Sequence, residues 1–98
     1  PEGFSPNNDG VHDYFQIVGI EKFPDAKMYI FNRWGNKLFE KEHYGNLNYW
    51  GSHADAWWDG YSDSRWNVGG GRVPVGNYLY ILELGNGKTF KGTVMVSY

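Results

Sequence analysis

Between Tyr78 and Tyr98 the side chains change character every second residue on either side of Gly85-Asn86-Gly87, and nowhere in the 98 residues do apolar positions recur at sustained helical spacing. Such a chain must build its core from strands. Tyr78, Tyr80, Leu82 and Leu84 share one face and Leu79 and Ile81 the other, while Phe90, Val94, Val96 and Tyr98 oppose Lys91, Thr93, Met95 and Ser97. This predicts a terminal β-hairpin with one solvated face. Lys27 to Arg33 repeats the alternation, Met28 and Ile30 against Tyr29 and Phe31, apolar on both faces as at the centre of a sandwich. Trp34-Gly35-Asn36 supplies residues that tolerate positive φ, and Lys37 to Lys41 resumes the extended pattern, so a second hairpin is expected, with its charged strand near an edge. Tyr14 to Val18 adds a short strand-like run. The fold class expected is all-β, an immunoglobulin-like antiparallel β-sandwich of about six or seven strands forming one domain over residues 1–98.

A chain of this length can bury roughly two thirds of its extended surface. Five Trp, eight Tyr and six Phe make aromatic packing the main source of that burial, since aliphatic content is modest. A formal charge of −2, with nine Lys and Arg scattered along the chain, excludes the clustered basic face that nucleic acid requires. There is no cysteine, hence no disulfide and no thiolate metal site. No window approaches the roughly twenty consecutive apolar residues of a membrane-spanning helix.

Phe4-Ser5-Pro6-Asn7-Asn8-Asp9-Gly10-Val11-His12-Asp13 reads as an ordered loop ahead of the first strand-like run. Ser5, Asn7, Asp9, Gly10, the Val11 carbonyl and Asp13 stand at the relative spacing of positions 1, 3, 5, 6, 7 and 9 in an EF-hand-type loop, which makes calcium a candidate ligand. Position 1 is a neutral Ser, Gln16 replaces the bidentate Glu, and no helices flank the loop. The alternative is an Asx-type turn in which Asn7, Asn8 and Asp9 cap their own backbone.

From Glu42 to Arg72 periodicity gives way to a segment rich in Trp, Tyr, Asn, Ser, Asp and Gly, expected to be pinned by its own aromatics or by a partner. Trp50, Trp57, Trp58 and Trp66, with Tyr44, Tyr49 and Tyr61, offer two readings: a carbohydrate-binding platform of an adhesin-type module, or rings that cover the ends of an aliphatic-poor core. Catalysis has little support. His12, His43 and His53 are separated by loops, no Ser sits in a nucleophile elbow, and Asp55, Asp59 and Asp63 read as a solvated acidic loop around Gly60.

Five stretches in order, Phe4 to Asp13, Ile30-Phe31-Asn32-Arg33-Trp34-Gly35-Asn36, Trp58-Asp59-Gly60, Val75-Gly76-Asn77-Tyr78-Leu79-Tyr80 and Phe90-Lys91-Gly92-Thr93-Val94, resemble the type B C-terminal sorting domain of the type IX secretion system, also called the gliding-motility-associated C-terminal domain. The resemblance implies a non-catalytic domain excised from the end of a large exported protein of a Gram-negative bacterium, often a surface adhesin or enzyme. It implies translocon components and a PorP/SprF-like outer-membrane β-barrel as partners. Its motifs fall on Phe4, Pro6, Asn8, Asp9, Gly10, Asp13, Phe31, Asn32, Arg33, Trp34, Gly35, Trp58, Asp59, Gly60, Gly76, Tyr78, Tyr80, Lys91 and Gly92. Tyr44 to Ala56 stands as an insertion relative to that pattern.

Overall fold

The alternating runs assemble side by side. The computed structural model describes residues 3–4, 14–62 and 71–97. In chain order its elements are β1 (Gly3–Phe4), β2 (Lys27–Phe31), β3 (Lys37–Lys41), the single-turn helices α1 (Leu47–Trp50) and α2 (His53–Ala56), β4 (Tyr61–Ser62), β5 (Gly71–Arg72), β6 (Gly76–Glu83) and β7 (Thr89–Val96). Five strands form one sheet in the order β1-β7-β6-β2-β3, and β4-β5 form a separate antiparallel ribbon. Within the large sheet β2 pairs antiparallel with β3 and β6, and β6 with β7. Only the short β1 runs parallel, Gly3 and Phe4 lying opposite Met95 and Val96. The mostly-β expectation holds, and both predicted hairpins form where their glycine-bearing turns lie.

One face of this sheet carries the core. Met28, Ile30, Tyr78, Leu82, Val94 and Val96 are buried there, each two residues from the next member on its strand or a multiple of two. Against them lies a second layer made of the segment from Tyr14 to Ala26, the stretch from Tyr44 to Trp58 with its two helical turns, and the β4-β5 ribbon, which contributes Phe15, Ile20, Tyr44, Ala56, Trp57 and Trp58. The layers meet ring to ring. Phe15 packs edge-on to Tyr80 at 5.2 Å between centroids, and Trp58 meets Tyr78 at 5.9 Å and Phe39 at 6.0 Å.

The opposite face corrects the expectation that β2 is buried on both sides. Tyr29 and Phe31 are only half-buried, and Leu79 and Met95 on the same side are 43% and 42% exposed. No described element covers this side. The Tyr29 hydroxyl instead donates to Glu83 at 3.1 Å, and Phe31, Leu79 and Ile81 line an open depression of about 530 Å³. At the edge, Lys37 and Lys27 lie 2.8 and 3.2 Å from Glu40, and their hydrogen bonds hold its carboxyl below the usual range. Charge on β3 thus blunts the edge, as expected from the sequence.

The middle segment contains helical turns that its lack of periodicity did not reveal. Asn46 Oδ1 accepts from the Tyr49 N–H at 3.0 Å to cap α1, which stops at Gly51 with φ 87°. Ser52 Oγ accepts from the Asp55 N–H at 3.3 Å to cap α2. Its aromatics do pin the segment: the Trp50 indole N–H reaches the Glu42 and His43 carbonyls at 3.1 and 2.9 Å, and that of Trp57 reaches His53 Nδ1 at 3.0 Å. Tyr14 to Val18, by contrast, is no strand. Only Phe15 bridges, to Trp58.

Candidate partner interface

The turn between β2 and β3 is rigid despite its exposure. Asn32 Oδ1 accepts from the backbone N–H groups of both Trp34 and Asn36, at 3.0 and 2.9 Å, while its own N–H donates to the Asn36 carbonyl at 3.0 Å. Gly35 closes the reversal at φ 84°, a left-handed conformation costly for residues with a Cβ. An Asx-type turn of this kind fixes the direction of the residues it carries. It holds Trp34 out into solvent, 71% exposed, with the Arg33 guanidinium carbon 4.2 Å from the ring centroid.

Beside this turn lies a recess of about 470 Å³, walled on the other side by the connection from β5 into β6. Arg33, Trp34, Arg72, Val75, Asn77 and Tyr78 all contribute, and no Asp or Glu is among the described residues lining it. The Tyr78 hydroxyl donates to the Pro74 carbonyl at 2.6 Å, which ties the floor of the recess to its wall. Burial raises the Tyr78 hydroxyl above its ordinary pKa, and the nearby Arg33 charge opposes that rise. Arg72 was not singled out from the sequence. It is held opposite Tyr61 in the β4-β5 ribbon and lines the same recess as Arg33, a tertiary placement that no local signal carries.

The other motif residues divide sharply by location. Asn32, Arg33, Trp34 and Gly35 form the exposed turn, and Lys91 is exposed on the uncovered face of β7. Trp58 has no exposed surface at all and belongs to the core, its indole N–H donating to the Tyr61 carbonyl at 3.0 Å. Gly60 is buried beside it, and its carbonyl accepts from the Val73 N–H at 2.8 Å to start the ribbon. Tyr78 and Tyr80 face inward, and Gly92 is where Tyr80 lies across β7: a Cβ there would come within 2.8 Å of the ring. Phe4 enters the sheet through its backbone. Ser5, Pro6, Asn7, Asn8, Asp9, Gly10, Val11 and Asp13, and with them the calcium loop, lie outside the described residues, as do Asp63 and Trp66.

Asp59 is a motif residue whose chemistry burial alters. Burial pushes its carboxyl above the usual range, against the N–H of Tyr61 that donates to Oδ1 at 3.2 Å and against the charge of Lys41. A carboxyl raised in the folded state favours folding when protonated, so its contribution is complete below the unfolded pKa and is lost as pH rises through the folded one. Asp59→Asn keeps the acceptor and removes the charge. It is expected to raise the melting temperature at pH 7, with the gain vanishing in acid below about pH 4; a gain independent of pH, or none, would show that the charge carries no penalty.

The middle aromatics are largely inward. Tyr44, Trp57 and Trp58 are buried and Trp50 half-buried, leaving Tyr49 and Tyr61 exposed, the former stacked on His43 at 4.1 Å. The Tyr44 hydroxyl donates to the Phe15 carbonyl at 2.6 Å and accepts from the Trp58 N–H at 3.0 Å, so burial, which pushes its pKa strongly upward, leaves it protonated and bridging. These rings act as core. Among the described residues no group of three or more His, Asp or Glu side chains is placed to hold a metal, and no helix is long and apolar enough to cross a membrane, which says nothing of β-barrels.

With this geometry in place, comparison with known families gives one assignment. The chain belongs to the CHU_C type IX secretion signal domain family, whose model matches residues 1–96. Comparison with curated proteins returns no match. A type IX secretion signal marks the protein that carries it for export to the cell surface or the medium through that machinery.

Proposed function

We propose that this domain is a non-catalytic address recognised as a folded unit, which directs a larger cargo across the outer membrane by contact with type IX translocon components and a PorP/SprF-like β-barrel. The family match across 96 of 98 residues carries the reading. The structure supports it through surfaces that depend on folding: the turn bearing Arg33 and Trp34 and the uncovered face of the terminal hairpin exist only when β2, β6 and β7 are paired. A linear peptide would present neither. The carbohydrate-binding alternative is not favoured by any comparable observation, because most rings of the middle segment are packed inward.

The test fuses the 98 residues to the C-terminus of a fluorescent protein that carries an ordinary signal peptide, in a type IX-competent gliding bacterium. Fluorescence is expected at the surface or in the medium with the partner barrel present, and in the periplasm without it. Deleting the last strand, Thr89–Val96, is expected to strand the reporter in the periplasm. Unchanged export of that truncated fusion would sink the folded-signal reading.

A further inference from the structure

The recess between the β2–β3 turn and the β5–β6 connection holds two arginines and no described carboxylate in a chain whose net charge is −2. The charges on its described lining are positive, on an acidic domain. Arg33 is the better placed of the two. A guanidinium beside an indole keeps its N–H fork, the geometry that matches a carboxylate. The Arg33 guanidinium carbon lies 4.2 Å from the Trp34 ring centroid, and Arg33 makes no ion pair with a described carboxylate. Arg72 lines the same recess and lies 6.0 Å from the exposed Tyr61 ring.

The rest of the recess is apolar or neutral. Val75 is 59% exposed, Trp34 offers the free part of a large ring, and Asn77 supplies an amide. A bound group that satisfied only the cations would leave this apolar surface wet. An acidic side chain next to an apolar one would satisfy both.

We propose that this recess is a docking site for a loop of a protein partner that presents a carboxylate beside an apolar side chain, with Arg33 taking the carboxylate and Trp34 and Val75 the apolar group. The identity of the partner as an export component rests on the reading given above; the chemistry of the recess does not. Charge complementarity selects the occupant, and a rigid turn keeps the ordering cost of binding low.

Two measurements separate the proposal from the export reading. In the first, the ¹⁵N-labelled 98-residue chain is titrated with the blocked peptide acetyl-Gly-Phe-Asp-Leu-Gly-amide and with its Asn counterpart, following the Arg33 Nε and Trp34 Nε1 signals and the backbone amides of 32–36 and 72–78. Saturable shifts confined to these signals are expected, with about fivefold weaker binding of the Asn peptide and loss of binding in Arg33→Gln. Equal responses to the two peptides, no response, or concentration-dependent shifts of these signals without peptide, which would assign the recess to a second copy of the chain, each overturn the proposal. In the second, the reporter fusion carries Arg33→Glu, Arg72→Glu or, as a surface control, Lys22→Glu. Export is expected to fall on the order of tenfold with either arginine change, for Arg33→Glu at unaltered melting temperature, and to stay unchanged in the control. If the wild-type fusion is not exported, the export reading fails and the titration alone decides the recess. If Arg33→Glu is exported as well as wild type, the recess is not where the export partner docks.

Discussion

Trp58→Ala is expected to remove about 3–5 kcal/mol of folding stability, the range for truncating a large buried aromatic. Trp58 has no solvent exposure, and four separate pieces of the fold converge on it. Its ring meets Tyr78 from β6 and Phe39 from β3, its indole N–H holds the Tyr61 carbonyl at the start of the ribbon, and its backbone carbonyl accepts from the Phe15 N–H at 2.9 Å. Truncation opens a cavity at the junction of the two layers and strands the Tyr61 carbonyl. Domains of this size have roughly 5–15 kcal/mol in total, so the loss is about a fifth or more, a fall on the order of 20 °C in melting temperature. Trp34→Ala is the matched control. The same residue type, 71% exposed on the turn, should change stability by no more than about 0.5 kcal/mol while weakening the peptide titration described above. Urea denaturation of both variants reads the contrast directly; a loss below about 1 kcal/mol for Trp58→Ala would mean that the layers are joined elsewhere.

That two tryptophans of one motif set divide so sharply shows where sequence reading reaches its limit. Period-two alternation and a glycine-bearing turn are local, so the hairpins Lys27–Lys41 and Gly76–Val96 were legible, as was the charged edge at β3. Which face of β2 is covered is not local. Tyr29 and Phe31 are as apolar as Met28 and Ile30, and only the placement of the second layer decides that the former pair borders solvent. The helical turns escaped notice because four residues are too few to show a period, although Asn46 and Ser52-x-x-Asp55 carried the cap chemistry that starts them. Tyr14 to Val18 has strand composition without a neighbour to pair with beyond Phe15.

The candidate interface was half legible for the same reason. Asn32-Arg33-Trp34-Gly35 announces a turn with an aromatic and a cation on it, and the turn stands as expected. Arg72, which follows a Gly-rich run, and Val75, the first residue of a quoted motif, complete the recess from β5 and the connection into β6, so the concave surface exists only at the level of tertiary structure. Tyr78 and Tyr80 stand among the motif residues by resemblance, and the register that brings them beside Trp58 and Phe15 packs them against the core.

Gly45→Ala tests how tightly that core is closed, with an expected loss of about 2–5 kcal/mol. Two costs add. Gly45 has φ 73°, where a Cβ costs about 1–2 kcal/mol, and its N–H donates to the Ala56 carbonyl at 2.7 Å, which keeps the backbone from rotating to a more favourable region. A Cβ built there would lie 2.5 Å from Trp57 Cζ3 and 2.8 Å from Ile20 Cγ2, contacts that force buried groups apart at about 1–3 kcal/mol. Trp57 is poorly placed to yield: it is buried, its indole N–H is bound to His53, and its ring stands edge-on to Tyr44 at 5.4 Å. Gly51→Ala separates the two costs, because Gly51 has φ 87° with nothing within 4 Å of its Cβ direction. It should lose only the backbone part, about 1–2 kcal/mol. Equal losses in the two variants would show that Trp57 moves aside freely and that the middle segment is less tightly packed than its hydrogen bonds imply; a larger loss at Gly45, with an altered near-ultraviolet dichroism of the tryptophans, locates the closure of the core at the Gly45–Trp57 contact.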